Sequence, residues 1–272
     1  MCKALDNSLF VQDRERFERI REKADGFNKN FNGDNIIQDD IFHIIENYSR
    51  KKAVPLELLR YPIEDEELCA CTFIREGRIF VLLNAGMQMA KQIFAVAHEL
   101  YHVWCYLEDE DQDLICNGSL LDSATIDDAA GKQEEMEANA FSGLLLVPAD
   151  TLNQQIRIYG INKNNITVPD ILMLMEIFGV PYKAMILRLY EDSLISEEQA
   201  RTLFRIPGIE VQNQIEMTGR AKRWSIVPHG IEKFGSLMEN MAENIKNGAL
   251  TSERMDSDRK RLQEIYQLYH IK

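Results

Sequence analysis

The chain has 272 residues and a formal net charge of −13, with 45% hydrophobic and 28% charged residues. That length supports one sizeable core with a smaller appended unit, and the composition is that of an ordinary globular protein. The acidic balance argues against the whole chain lying on nucleic acid or on an anionic membrane, since both repel it.

The N-terminus, MCKALDNSLFVQDRERFERIREK, turns charged at once and lacks the apolar stretch of a secretion signal. No run of about eighteen apolar residues offers a membrane span. A cytoplasmic location is therefore expected. The five cysteines agree with it, because their number is odd and their spacing is not a disulfide framework.

Residues 9–30 carry Phe10, Val11, Phe17, Ile20 and Phe27 among many charges, the pattern of an amphipathic helix. A second helix is expected over 36–50, with Ile41, Ile44 and Ile45 on one side, and Pro55 and Pro62 then break the pattern. Residues 68–84 read as a β-hairpin, LCACTFI and RIFVLLN about the turn Arg75-Glu76-Gly77, and as the one convincing β region. Cys69 and Cys71 fall on one face of that hairpin. They lack a C-x-x-C loop and a second ligand pair, so they are read as structural rather than as zinc ligands. A long helix is expected from Asn84 to about Tyr106, and an acidic, broken stretch over 108–131. Further helices are expected over 132–146, from Asp150, and as a pair over 168–192 joined at Phe178-Gly179-Val180-Pro181. The tail after 197 reads as mostly helical and strongly charged.

The chemistry concentrates in IFAVAHELYHVW. His98 and His102 are four apart, so both imidazoles leave one face of the helix and can supply half of a tetrahedral zinc shell. Apolar flanks at Ile93, Phe94, Val96, Ala97, Leu100 and Trp104 predict burial, and buried histidines need partners. Glu99 sits about a hundred degrees round the helix, placed to accept a proton rather than to ligate. A catalytic zinc site usually has a third protein ligand. The best candidate is Glu135 in EEMEANAF, with Asn139 one turn on, able to hydrogen-bond a ligand histidine. Glu134 and Glu137 are expected to point elsewhere. The competing reading of this segment is a solvated acidic first turn favoured by the helix dipole. His43, His229 and His270 have no supporting partners, although His229 could supply charge to the site.

Three motifs in combination resemble the ImmA/IrrE family of zinc metallopeptidases, of the gluzincin type. They are the apolar lead-in Ile93–Ala97, E-x-x-A-N from Glu135 to Asn139, and a Leu-rich stretch ending at Pro148; the likeness spans roughly residues 35–195. It implies His98, His102 and Glu135 as zinc ligands, one Zn2+ per chain, Glu99 as general base, and Asn139 as the small polar residue after the ligand glutamate. Tyr101 departs from the family's usual glycine and places bulk beside the metal. The resemblance further implies cleavage of a partner helix-turn-helix transcriptional repressor.

The expected fold is α+β and mostly helical. A helical extension (1–34) precedes a zincin-like core with a small sheet (35–165). Helix-turn-helix-like helices that complete the core follow (166–196), and then a helical C-terminal region (197–272). From Pro181 to Asp192 the only cations are Lys183 and Arg188, set against Glu191 and Asp192, which is poor equipment for DNA. The cationic cluster Arg220-Ala221-Lys222-Arg223-Trp224 is weak evidence for nucleic acid. A peptide could pair with strand 78–83 as an exposed edge, making Arg78, Phe80 and Leu82 substrate-binding; the strand could equally be covered. A non-cleaving zinc module that senses or docks a partner, and a DNA-binding regulator, are the alternative functions.

Overall fold

The computed structural model describes residues 3–33, 36–63, 68–75, 77–108, 119–122, 133–219, 224, 233–234, 243–249, 251, 253–258 and 260–261. The N-terminal region folds as α1 (Lys3–Asp6), α2 (Leu9–Gln12) and α3 (Arg14–Phe31). The single helix expected over 9–30 is thus two. Asp13 leaves helical geometry and caps α3, its carboxylate accepting from the Arg16 amide at 3.0 Å. A short 3₁₀ turn (Gln38–Asp40) leads into α4 (Ile41–Lys51).

The sheet corrects the sequence reading, which found β structure only in the hairpin. β1 (Leu56–Tyr61), β2 (Leu68–Arg75) and β3 (Arg78–Asn84) are joined by two short strands, β4 (Ser119–Asp122) and β5 (Lys233–Phe234). The strand order is β4-β2-β3-β1-β5. β1 runs parallel to β3, and the other pairs are antiparallel. Pro55 and Pro62 bound β1 rather than interrupt it, standing where a missing N–H takes nothing from the ladder. Likewise β5 lies in a tail expected to be helical.

α5 (Met89–Glu108) lies against one face of the sheet, where Thr72, Ile79, Val81 and Leu83 are fully buried. The turn that launches it is fixed by two amides. Asn84 donates to the Leu68 carbonyl and accepts from the Ile63 and Gly86 N–H groups. Gln92 donates to the carbonyls of Ala85 and Met87. α6 (Gln133–Leu146) packs on both α3 and α5. α7 (Ala149–Ile158), α8 (Val168–Phe178), α9 (Tyr182–Glu191), α10 (Glu197–Phe204) and α11 (Gly208–Met217) follow. The architecture is α+β and mostly helical, as expected.

One hydrophobic cluster runs from Leu5 and Phe17 through α5 and α6 to Ile215 and Trp224, across all four expected regions. α8 ends at Gly179, whose φ of +69° is the left-handed conformation glycine tolerates best. In α9, Arg188 is buried. It donates to Glu191 (2.6 Å), Asp192 (2.7 Å) and the Val147 carbonyl (3.1 Å). α6 approaches it so closely that a Cβ on Gly143 would stand 3.1 Å from Arg188 Cδ. Of the two cations noted on α9, this one is spent inside the fold. The cluster at 220–223 lies outside the described residues; Trp224 is buried. Among the described residues no helix is long and apolar enough to cross a membrane.

Arg188→Met should strip two carboxylates of their shared cation inside the protein. We expect a loss of about 3–5 kcal/mol in urea denaturation, whereas Lys183→Met on the same helix, at an exposed position, should change stability by less than about 0.5 kcal/mol.

Candidate metal centre

α5 and α6 cross so that His98, His102 and Glu135 converge. All three are buried, and one donor atom from each lies within 4.8 Å of the other two. His98 Nε2 is 3.1 Å from His102 Nε2 and 3.1 Å from Glu135 Oε2. His102 Nε2 is 3.8 Å from Glu135 Oε1. Ligands held tetrahedrally at about 2.0–2.2 Å from an ion stand about 3.3 Å apart, so these separations suit a metal without rearranging either helix.

The outer ring nitrogens are also held. His98 Nδ1 lies 3.0 Å from Asn139 Oδ1, and His102 Nδ1 lies 2.9 Å from Glu134 Oε1. An Nδ1–H donated to each oxygen fixes the tautomer that turns an Nε2 lone pair toward the shared point. Asn139 is therefore where the sequence placed it. Glu134 is not: expected to point away, it orients the second histidine. Its position immediately before Glu135 turns it about a hundred degrees round α6, and from there its carboxylate reaches His102 while 33% of the side chain stays exposed.

Glu99 is fully buried and does not join the ligand cluster. Thr72 of β2 donates to its Oε2 at 2.5 Å, while its Oε1 has no hydrogen-bond partner among the described residues. Burial raises its carboxyl above the usual range, against the pull of His102, His98 and the Thr72 hydrogen bond. Burial also opposes charge on His102, but the Glu134, Glu99 and Glu135 carboxylates outweigh it and raise that imidazole. Three carboxylates around two imidazoles leave an excess of negative charge that a divalent cation neutralises. The donor types, their convergence and the orphaned Glu99 oxygen all fit a metal site.

Thr72 is the residue the sequence reading missed. Its place on the sheet face under α5 follows from strand parity once β2 is known, yet nothing in TFIRE marks it as polar machinery.

The same parity corrects the substrate-binding assignment of Arg78, Phe80 and Leu82. β3 is hydrogen-bonded on both sides, to β1 and β2, so it offers no free edge. Alternate side chains of a strand point to opposite faces. Ile79, Val81 and Leu83 are the ones buried beneath α5, so Arg78, Phe80 and Leu82 occupy the far face. There Phe80 stacks on Phe73 with ring centroids 5.2 Å apart, and Arg78 pairs with Glu57 at 3.5 Å.

Tyr101 does not intrude on the metal point. It is buried between α5 and α6 against Phe141, and its hydroxyl donates to Glu137 Oε2 at 2.5 Å. Glu137 in turn accepts from Arg16 of α3 at 2.5 Å. Cys69, Cys71 and Cys105 are free thiols and join no metal-binding group among the described residues. Burial and the nearby Glu99 push the Cys71 thiol up to about 11, away from the thiolate a metal requires. His229 and His270 lie outside the described residues, and His43 lies on α4, outside the cluster.

Metal affinity measured by competition with a chromophoric chelator should rank these roles. Glu135→Ala and His98→Ala should abolish stoichiometric binding. Glu134→Ala and Asn139→Ala should each weaken it by about 10- to 100-fold.

Residues 57–190 match a peptidase-family model described as the IrrE N-terminal-like domain, a stretch that contains the three converging side chains and Glu99. No curated protein matches the chain. Residues 57–190 thus form a domain of the ImmA/IrrE family of metallopeptidases.

Proposed function

We propose that the chain is a zinc-dependent endopeptidase. The observation that carries this reading is the buried Glu99. It stands beside, but outside, a converging His98–His102–Glu135 set, with one carboxylate oxygen anchored by Thr72 and the other without a hydrogen-bond partner among the described residues. A purely structural metal site has no use for such a carboxylate.

His98, His102 and Glu135 would hold the ion. Zinc bound there would supply Lewis-acid polarisation of the scissile carbonyl and acidify a water. Glu99 Oε1 is the free acceptor that removes a proton from the attacking water. The same oxygen then delivers that proton to the leaving amine. The raised affinity of Glu99 for a proton, caused first by its burial, suits it to both halves of this exchange. Thr72 keeps Oε2 occupied, so that Oε1 faces the reaction. Glu134 and Asn139 hold the imidazoles in the tautomer the ion needs.

The substrate we propose is a partner protein, a helix-turn-helix transcriptional repressor encoded near this chain on a phage or mobile element. This rests on the family resemblance and on the peptidase reading. A DNA-binding role for this chain itself is the weaker alternative, because Arg188 is buried and paired within α9.

The test is incubation of the zinc-loaded protein with repressors from its genomic neighbourhood, fragments being identified by mass spectrometry. Glu99→Gln should retain about one zinc per chain yet cut about 10²- to 10⁴-fold more slowly. Thr72→Val should lower kcat with little change in KM, and Thr72→Ser should restore most of the loss. Unimpaired cutting by Glu99→Gln would remove the assigned base. Intact repressors throughout would remove the assigned substrate.

A further inference from the structure

Behind the metal centre lies a second feature that the peptidase reading does not use. A cavity of about 420 Å³, partly open to solvent, lies between the N-terminal segment, α5, α6, α8, α9 and the α10–α11 region. Its volume falls in the range of about 300–1,000 Å³ typical of small-molecule sites. Its wall is predominantly apolar, with Phe94, Met175, Leu187, Val211, Ile215 and Trp224 prominent.

None of His98, Glu99, His102 or Glu135 lines the cavity. Asn139 does, and Asn139 holds His98 by Nδ1, the nitrogen turned away from the metal point. The cavity thus adjoins the site at Asn139 and not at the converging donor atoms.

Its polar groups point to a class of ligand. Tyr182 lines it, and the Tyr182 hydroxyl is shut off from solvent with no hydrogen-bond partner among the described residues. A buried hydroxyl left unmatched is costly and asks for an acceptor. Burial pushes this phenol up to about 12, so it stays a neutral donor at physiological pH. Lys91, on the same wall, forms no ion pair among the described residues, and Lys183 adds a second cation at the lining. The one carboxylate in the wall, Glu191, is engaged by Arg188 at 2.6 Å. In a chain of net charge −13, two lysines on one apolar cavity are a local departure that favours an anion.

We infer that this cavity binds a small amphipathic acid, an apolar body with one carboxylate. The body fills the Phe94–Leu187–Trp224 wall, and the carboxylate accepts from Tyr182 and pairs with Lys91. Because the wall draws on the N-terminal segment, the domain bearing the metal centre and the region beyond α10, such a ligand would tie these parts together next to the residue that orients His98.

Trp224 offers a direct readout, since the chain has only two tryptophans and Trp104 does not line the cavity. Trp104→Phe protein should be titrated with decanoate, with decanol as the uncharged comparison, in zinc-loaded and in chelator-treated form. Trp224 emission should change saturably with decanoate in both forms, and decanol should bind more weakly. Tyr182→Phe and Lys91→Met should each weaken decanoate about five- to tenfold, and Lys91→Met should leave decanol unchanged. No saturable change would overturn the inference, as would an affinity indifferent to both substitutions. Binding seen only in the zinc-loaded form would put the acid on the metal and overturn it equally. Because the readout needs no cleavage, failure here leaves the peptidase reading standing, and failure of that reading leaves this one testable.

Discussion

Everything at this site depends on keeping two imidazoles dry. His98 and His102 are buried on a helix that is apolar almost all round, and each ring carries two nitrogens that must be satisfied without water. The protein answers with a second helix. α6 brings Asn139 and Glu134 to the outer nitrogens and Glu135 to the inner pair. A cation fits the inner side, where the two Nε2 atoms and the Glu135 carboxylate converge. The same burial that forces this pairing isolates Glu99, raises its hold on a proton and leaves one of its oxygens available. The ligand geometry and the isolated Glu99 carboxylate are thus two consequences of one constraint.

That constraint explains the scaffold around it. α5 cannot shift along the sheet, because Asn84 and Gln92 lock the turn from which it starts. α6 cannot slide on α5 without breaking the contact of Tyr101 with Glu137, which Arg16 of α3 also holds. Tyr101 is therefore part of a tether between three helices, and the N-terminal helices share the core rather than hanging from it. At the other end, the buried Arg188 ties α9 to the C-terminal end of α6 through the Val147 carbonyl.

How much of this the sequence disclosed follows from the range of each interaction. His98, Glu99 and His102 share one helical turn, and Glu135 and Asn139 share another, so their spacing alone puts them on common faces. The helices from 36 to 192 were legible from their apolar period for the same reason. What escaped depends on how elements meet. Thr72 acts because β2 lies beneath α5. Glu134 acts because α6 crosses α5 at a particular angle. Arg78, Phe80 and Leu82 looked suited to binding a peptide only while β3 was taken for an edge, and the pairing of β1 removes that possibility. β1 itself was obscured by its flanking prolines, which break a local pattern without breaking a ladder they merely bound. β4 and β5 are too short for any period to register.

The claim on which the account rests is that two imidazoles and one carboxylate from these two helices hold a single ion. X-ray absorption at the zinc edge of the purified, zinc-loaded protein addresses it most directly. The account predicts a first shell of nitrogen and oxygen at about 2.0–2.2 Å with the outer-shell signature of two imidazoles and no sulfur. A sulfur shell at about 2.3 Å, or zinc scattered among sites without imidazole, would contradict it.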